Sequence, residues 1–504
     1  MKTMTAALAV SAAIGMTACL DGRSGFWSRF DGDGDGHGQG HGGHCRRGSK
    51  HCGPHDAGHD ASSDAGAVGD AFSLRVVARG LYAPWEITWG PDDQLWLTER
   101  VGHRVSRVDP STGALSTLAW IPDAYTTSQH EGVLGMALHP ELLTGTGNDF
   151  VFVAYTYDAD PGEPLERRAK ISRYRYDSAT WSLVEPSDVI TGLPANNDHN
   201  GGRLKIAPDG KLHYTVGDQG ANQFGNKCNP NLAQVLPTPE QVLAADWSSY
   251  AGKTLRLELD GGIPADNPVL EGVRSHVFTY GHRNPQGIVF GPDGTLYESE
   301  QGPKTDDEVN VLVAGKNYGW PHVAGYRDDQ AYEYGNWSAA PDCEELEFSD
   351  YELPPSVPRT AESAWSHPDF VPPIATFFTV ASDYEFRDPA CEGAEFVCWP
   401  TIAPPSIDIY TSDAIPAWSG SLLVPSLKEG SVYVVPLDGP GASGATEPVP
   451  TLKTTNRYRD VAISPDGRTL YVITDNEGLT QAPGGGYTAQ LDHPGSVLAF
   501  SAQP

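Results

Sequence analysis

"GPDGTLYESEQG" (residues 291–302) decides the fold. A Pro-Asp-Gly turn feeds a short strand of alternating apolar and polar residues. The phrase returns as "GPDDQLWLTER" (90–100), "APDGKLHYTVGD" (207–218) and "SPDGRTLYVITD" (464–475). Looser copies stand at "HPELLTGTGNDFVFVAYT" (139–156) and "AWSGSLLVPSLKEGSVYVV" (417–435). A random set of turns would not carry a matching strand after each. No amphipathic helix of any length separates the six copies. The pattern predicts an all-β chain, a six-bladed β-propeller of four-stranded antiparallel blades. Six blades over about 430 residues leave roughly 70 each, enough for long loops. Loops on one face of such a fold converge over the central channel, where a site can be built.

Composition narrows the partners. The 504-residue chain holds 34 Lys and Arg against 65 Asp and Glu, a formal net charge of -31. That disfavours nucleic acid and anionic membrane surfaces as partners. It suits neutral or cationic small molecules and divalent cations. The 56 Gly and 41 Pro agree with a turn-rich β protein.

Residues 1–19, "MKTMTAALAVSAAIGMTAC", read as an export signal: a lysine, an Ala-rich apolar run and small residues before Cys19. "MTAC" is similar to a lipoprotein processing box, which would make Cys19 a lipid anchor on the periplasmic face of the membrane. An ordinary secretory signal is the plainer alternative. Residues 20–70, with "DGDGDGHGQGHGGH", have little to bury and read as a disordered linker. Its Asp run begins like a calcium loop, but the twelfth position is Gly42 rather than Glu, so that reading fails. Export implies oxidising conditions. With Cys19 set aside, six cysteines remain. Local spacing favours Cys45 with Cys52 and Cys391 with Cys398, leaving Cys228 for Cys343, though sequence alone leaves the pairing open. The propeller domain then occupies residues 71–504.

Unusual polar residues gather at expected strand ends. In "NNDHNGG" (196–202) Asp198 and His199 precede two glycines, where a histidine can be base, ligand or plain turn residue. Arg457 and Arg459 in "NRYRD" (456–460) stand two apart, so a strand would put both on one side. Adjacent like charges need an anion against them. Lys428 in "VPSLKEG" (424–430) and Arg283 in "GHRNPQG" (281–287) add two more cations. Four cations at loop positions of an acidic chain point to a polyanionic small molecule. "EQGPKTDDE" (300–308) offers Asp306, Asp307, Glu308 and turn carbonyls, hard oxygen donors that suit calcium better than zinc.

Nine segments in order carry a resemblance: "WGPDDQLWLTER", "DHNGGRL", "GDQGANQ", "GHRNPQG", "SEQGPKTDDE", "NYGWPHVAGYRDD", "CWPTIAP", "VPSLKEG" and "NRYRDV". Over roughly residues 73–502 the chain resembles the soluble pyrroloquinoline quinone (PQQ) dependent glucose/sorbosone dehydrogenase family. That resemblance implies a six-bladed propeller enzyme, a quinoprotein that oxidises an aldose at C1 to the lactone. It makes His199 the base, with Asp198 a catalytic or substrate-binding residue beside it. Arg283 would face the reactive quinone carbonyl, with Asn284 and Gln286 on the same loop. Lys428, Arg457 and Arg459 would hold the PQQ carboxylates; Asp218 and Gln223 would line the site. The carbonyls of Gly302 and Pro303 match ligands of the calcium that activates PQQ. Asp307, Glu308 and Tyr318, and also Ala324, Tyr326, Asp328 and Glu362, match structural calcium ligands. Cys391–Cys398 matches the family's single disulfide. The soluble relatives form dimers, which makes a homodimer the expectation, although a tethered form need not keep it. The electron acceptor is not identified.

Three positions depart from the family pattern. His130 stands where the glucose enzyme has Gln, Phe396 replaces a site Tyr, and Ala221 replaces an Arg. They leave PQQ binding in place and put the sugar in question, since a lost hydrogen-bond donor shifts preference by about 1–3 kcal/mol. Two other readings compete: a calcium-dependent propeller lactonase without quinone, and a non-catalytic sugar-binding propeller. The cation cluster argues against the first, and intact His199, Arg283 and Lys428 against the second.

Overall fold

The structure, a computed structural model, describes residues 71–503 apart from 163, 440, 442 and 443. The leader, Cys19, the 20–70 linker and the Cys45–Cys52 pairing lie outside the described residues.

Each copy of the repeated phrase marks the turn into the second strand of a four-stranded antiparallel sheet. From the centre outwards, blade 1 is Pro84–Trp89, Leu95–Glu99, Arg104–Val108 and Leu115–Trp120. Blade 2 is Val133–Leu138, Phe150–Asp158, Arg167–Asp177 and Ser182–Pro194. Blade 3 is Leu204–Ile206, Leu212–Val216, Lys253–Leu257 and Val277–Tyr280. Blade 4 is Pro285–Phe290, Leu296–Glu300, Asp307–Leu312 and Ala375–Phe377. Blade 5 is Asp408–Tyr410, Ser421–Pro425, Val432–Pro436 and Val449–Thr451. Blade 6 takes Tyr458–Ile463, Thr469–Thr474 and Val497–Ala502, and borrows Phe72–Ala78 as its outer strand. The borrowed strand pairs Phe72 with Ala502, so hydrogen bonds close the ring. The six-bladed expectation holds.

The turns explain the phrase. Gly210, Gly294 and Gly467 have φ of 80°, 85° and 70°, and Asp93 takes the same left-handed role at 57° in blade 1. Gly accepts that conformation freely and Asp tolerates it. In three copies the preceding Asp accepts a backbone N–H two residues on: Lys211, Thr295 and Arg468, each at 3.0 Å.

Alternation has a sharper meaning than one wet face and one dry face. A blade is covered on both sides, so successive residues feed two different cores. Leu95 and Leu97 pack towards blade 6, while Trp96 between them packs towards blade 2. Leu470 and Val472 join the core shared with blade 5; Tyr471 and Ile473 join that shared with blade 1. Every interface between neighbouring blades holds such a cluster. Each large side chain fully buried there contributes about 1.5–3 kcal/mol.

The channel is plugged by charge. Arg203, at the start of blade 3, is 1% exposed. Its Nη1 lies 2.5 Å from Glu86 of blade 1 and 2.8 Å from Asp460 of blade 6. Its Nε donates to the Gln286 carbonyl of blade 4 and its Nη2 to that of Pro405 before blade 5, both at 2.8 Å. The neighbouring Gly202 carbonyl accepts from Gly135 of blade 2 at 3.0 Å. Lys205 shares Glu86 at 2.9 Å.

Long insertions in blades 3, 4 and 6 rise over one end of the channel. The only α-helix among the described residues, Pro239–Ala244, sits in the blade 3 insertion. Cys228–Cys343 ties the blade 3 and blade 4 insertions together, and Cys391–Cys398 lies in the connection from blade 4 to blade 5. No helix among the described residues is long and apolar enough to cross a membrane.

Replacing Arg203 with Met should lower stability by about 3–5 kcal/mol, because it strands two buried carboxylates. The comparison is Arg175→Met, which removes an exposed pair with Glu185. Urea unfolding should move sharply for the first variant and stay in place for the second.

Candidate active site

Antiparallel pairing of the two inner strands brings the residues before the first beside those after the second. Leu204 pairs with Tyr214, Pro285 with Glu300, and Tyr458 with Thr474. Segments 196–203, 217–223, 281–286, 301–308, 426–430 and 456–460 therefore meet at one end of the channel. Every cluster singled out in the sequence is on this end.

His199 is buried with φ 43°, a left-handed backbone that turns its ring inwards ahead of Gly201 and Gly202. Its Nδ1 is 2.7 Å from Asp218 Oδ1. A carboxylate only accepts, so the neutral ring carries its proton on Nδ1 and leaves a lone pair on Nε2. Asp218 is itself pinned: its other oxygen accepts from Trp320 Nε1 at 2.7 Å and Asn231 Nδ2 at 2.9 Å. Gln223 gives its carbonyl to Arg283 Nη2 at 3.0 Å. Its amide nitrogen therefore faces Asp198 Oδ2 at 3.0 Å and His199 Nε2 at 3.3 Å. The carboxylate orienting the base is thus Asp218, not its chain neighbour Asp198. Asp198 instead lies 3.2 Å from His130 Nε2. Burial alone would raise the Asp198 carboxyl, but His199, His130 and Arg283 outweigh it and hold it at about 2. Burial pushes the His130 imidazole below its ordinary value, against the pull of Asp198.

The four cations are all buried and form an arc. Arg283 donates to the Gln301 carbonyl at 3.0 Å and keeps a buried Nε without a partner. Asn284 and Gln286 both bond the Gln301 side chain, at 3.0 and 3.2 Å. Gln286 also accepts from Arg459 at 3.4 Å. Lys428 donates to the Trp399 carbonyl at 2.9 Å and to Thr401 Oγ1. Burial pushes its ammonium well below the usual lysine value, with Asp307 and Glu429 acting the other way.

The sequence missed four members of this arc. Asp475 bridges Arg457 at 3.2 Å and Arg459 at 2.9 Å, so part of the anion that these arginines require is built in. Arg100 lies buried nearby with an unpartnered Nε, and burial pulls its pKa down to about 10. Gln301 and Thr401 complete it. One signal was available: Asp218, Asp475 and Arg100 each end a copy of the repeated phrase.

Buried acids adjoin the cations: Glu300 accepts the Arg283 backbone N–H at 2.8 Å. Burial pushes Glu298, Glu300, Asp306, Asp307, Glu308 and Glu362 above the usual carboxylate range, Asp306 to about 6 and Glu362 to about 7. Asp306 Oδ2 is buried with no partner. Asp307 accepts three backbone N–H groups, from Gly302 at 2.8 Å, Ile402 at 2.6 Å and Ala403 at 2.7 Å, and so shapes the Gly302–Pro303 turn. Glu308 accepts from Gly325 at 2.6 Å, and Glu362 from Ala324 at 3.0 Å and Asp328 at 3.3 Å. Tyr318 spends its hydroxyl on the Val311 carbonyl at 2.6 Å, and Tyr326 is part exposed. Acids in excess, an orphan oxygen and turn carbonyls form a donor set that fits a hard divalent cation.

A cavity of 440 Å³ opens beside the base, lined among others by Gln223, Arg283, Pro303, Trp320, Tyr351 and Trp399. Ala221 lines it, whereas Phe396 is half exposed and does not.

The family model described as Glucose / Sorbosone dehydrogenase matches residues 81–359 and 380–480. Quinoprotein glucose dehydrogenase B of Acinetobacter calcoaceticus is 43% identical over 442 residues, covering 86% of this chain and 92% of that one. An aldose sugar dehydrogenase of Escherichia coli is 26% identical over 409 residues, 80% of this chain and 90% of the other. The PQQ-bound aldose sugar dehydrogenase of Streptomyces coelicolor superposes with a TM-score of 0.57 at 26% identity, covering 86% of this chain and 98% of that chain. With its blades, its paired histidine and its ordered motifs all in place, the chain belongs to the glucose/sorbosone dehydrogenase family.

Proposed function

We propose that the protein is an exported, calcium-dependent quinoprotein that oxidises an aldose at C1 to the lactone. One observation carries the reading: an oriented histidine base and the buried cations Arg283, Lys428, Arg457 and Arg459 come from segments that meet at one end of the channel in an otherwise acidic chain. A hydrolase would use the base but has no need of the arc. The disulfides Cys228–Cys343 and Cys391–Cys398 support an oxidising compartment.

His199 Nε2 takes the proton of the anomeric hydroxyl, and Asp218 stabilises the imidazolium that results. Gln223, bonded to both Arg283 and Asp198, positions the sugar against the base. Arg283 provides a fixed positive charge that would face the reactive quinone carbonyl of bound PQQ. Lys428, Arg457 and Arg459 would hold the carboxylates of PQQ, with Arg100 behind them. The carbonyls of Gly302 and Pro303 would hold its calcium, and Glu308, Tyr318, Ala324, Tyr326, Asp328 and Glu362 would hold structural calcium. When bound, PQQ supplies the quinone that accepts hydride from C1, with calcium as Lewis acid. Trp320, Tyr351 and Trp399 wall the cavity and restrict water.

Full-length protein mixed with PQQ and calcium should reduce a dye with an aldose panel, and only when both are added. Lactone hydrolysis without PQQ would instead support the lactonase. Sugar binding with neither activity would support the binding protein.

His199→Ala should keep PQQ affinity and lose about 10²–10⁴-fold in kcat. Asp218→Asn should fall with it, since an amide can present a donor to Nδ1. PQQ titration beside dye reduction separates the two quantities, and normal turnover in His199→Ala would remove the base from its role.

Lys428→Met should weaken PQQ binding by about 10–100-fold, the worth of a charge-assisted hydrogen bond. Unchanged affinity would refute the cation arc.

A further inference from the structure

Behind Arg283 lies a second constellation that the sugar chemistry does not use. His282, Glu298 and Glu300 are buried, at 0%, 0% and 3% exposure, and offer ligand atoms all within 4.8 Å of one another. They come from one strand of blade 4 and from the turn that leads into its inner strand. Glu298 and Glu300 alternate on the strand Leu296–Glu300, so both side chains leave the same face. His282 precedes the neighbouring strand and faces them.

The hydrogen bonds leave this cluster unfinished. His282 Nε2 is 2.8 Å from Thr279 Oγ1, while its Nδ1 has no partner and lies 3.6 Å from Glu300 Oε1. Glu298 Oε1 also has no partner; its Oε2 takes a single bond from Asn310 at 3.0 Å. Glu308 adds a third carboxylate, sharing the Asn310 amide at 2.9 Å. Among the described residues no Lys or Arg side chain pairs with any of the three. The buried Lys253 gives its ammonium to the carbonyls of Leu232, Ala233 and Ala251 instead. An unpartnered imidazole nitrogen facing an unpartnered carboxylate oxygen, deep in the fold, is costly unless a cation joins them.

We propose that His282, Glu298 and Glu300 form a binding site for a divalent first-row transition ion, zinc or manganese. The donor set sets the class: calcium and magnesium take oxygen alone, whereas imidazole nitrogen favours transition ions. The site adjoins the calcium donors Glu308 and Tyr318, whose ring stacks on His282 at 4.8 Å; it differs from them in offering an imidazole nitrogen, and it does not depend on PQQ. Its position gives it a purpose. The second oxygen of Glu300 accepts the backbone N–H of Arg283 at 2.8 Å. An ion on Glu300 therefore fixes the segment that carries the active-site arginine, as outer partners commonly orient functional groups.

The test is metal stoichiometry on the full-length protein. Wild type and Glu298→Gln would be dialysed against zinc or manganese in excess calcium and analysed by mass spectrometry. The histidines at 37–59 are the same in both proteins, so whatever they bind cancels in the difference. Wild type should hold one equivalent more than Glu298→Gln, and its thermal midpoint should rise with the ion where the variant's does not. His282→Gln should show the same loss, and it reads the site independently if Glu298→Gln does not fold. Equal content in wild type and a folded variant overturns the site. Extra binding that calcium alone displaces in full overturns the transition-ion assignment.

Discussion

The guanidinium of Arg203 is the contact on which the rest of the molecule depends. Six blades around an axis leave a channel lined by inner-strand edges, and apolar packing between blades does nothing to fix its width. Arg203 does, since its Nε, Nη1 and Nη2 each reach a different blade or its approach. The planar fork suits this, because each nitrogen points a fixed way. Burying such a charge is favourable only when every donor is met, and here Glu86 and Asp460 supply opposite charge from two further blades. Arg203 is also four residues beyond His199, and the Gln286 that it grips belongs to the cation arc. The floor of the channel and the site above it are one network.

Above that floor the site gathers two sets of buried charge, Arg100, Arg283, Lys428, Arg457 and Arg459 with Glu298, Glu300, Asp306, Asp307, Glu308 and Glu362, which meet where Glu300 accepts the Arg283 backbone N–H and where Asp307 faces Lys428. Each group is unfavourable alone, as the displaced protonation of Lys428 and of the acids shows. Local instability of this kind is what a preorganised site for charged ligands requires. Asp475 moderates it. By bridging two arginines it lets the fold form without an external anion, while leaving net positive charge for one. The anion that Arg457 and Arg459 require is thus partly internal.

The repeat made the fold legible, and with it more of the site than motifs alone supply. The phrase that names a blade ends where its second strand reaches the functional end, so Asp218, Asp475 and Arg100 are deposited there by register. The four cations could be gathered from the sequence because a charged residue at a strand end is conspicuous. Gln301, Thr401, Trp320 and Asn231 could not. They are neutral and act through a few specific hydrogen bonds to other segments of the chain: Trp320 reaches Asp218 across 102 positions. The carboxylate on His199 Nδ1 was hidden for a related reason: it belongs to Asp218, 19 residues on, while the adjacent Asp198 lies 3.6 Å from Nε2.

That contrast divides the site into two kinds of support. Groups delivered by strand ends are held by the register of a whole blade, and a change there disturbs packing as well as chemistry. The sugar side is built differently. His130 precedes the inner strand of blade 2 on a loop, Ala221 lies in the blade 3 insertion, and the aromatic wall comes from the blade 4 insertion (Trp320, Tyr351) and the connection to blade 5 (Trp399). Loops accept substitution without repacking a core, so substrate choice can drift there while the base and the anion grip stay fixed. His130 shows how far one change reaches. It brings an imidazole to Asp198, whose other oxygen already holds Gln223, and Gln223 touches both the base and Arg283. A single loop residue is thereby linked through Asp198 and Gln223 to both His199 and Arg283, so an exchange at the edge between blades 2 and 3 reaches the centre of the site.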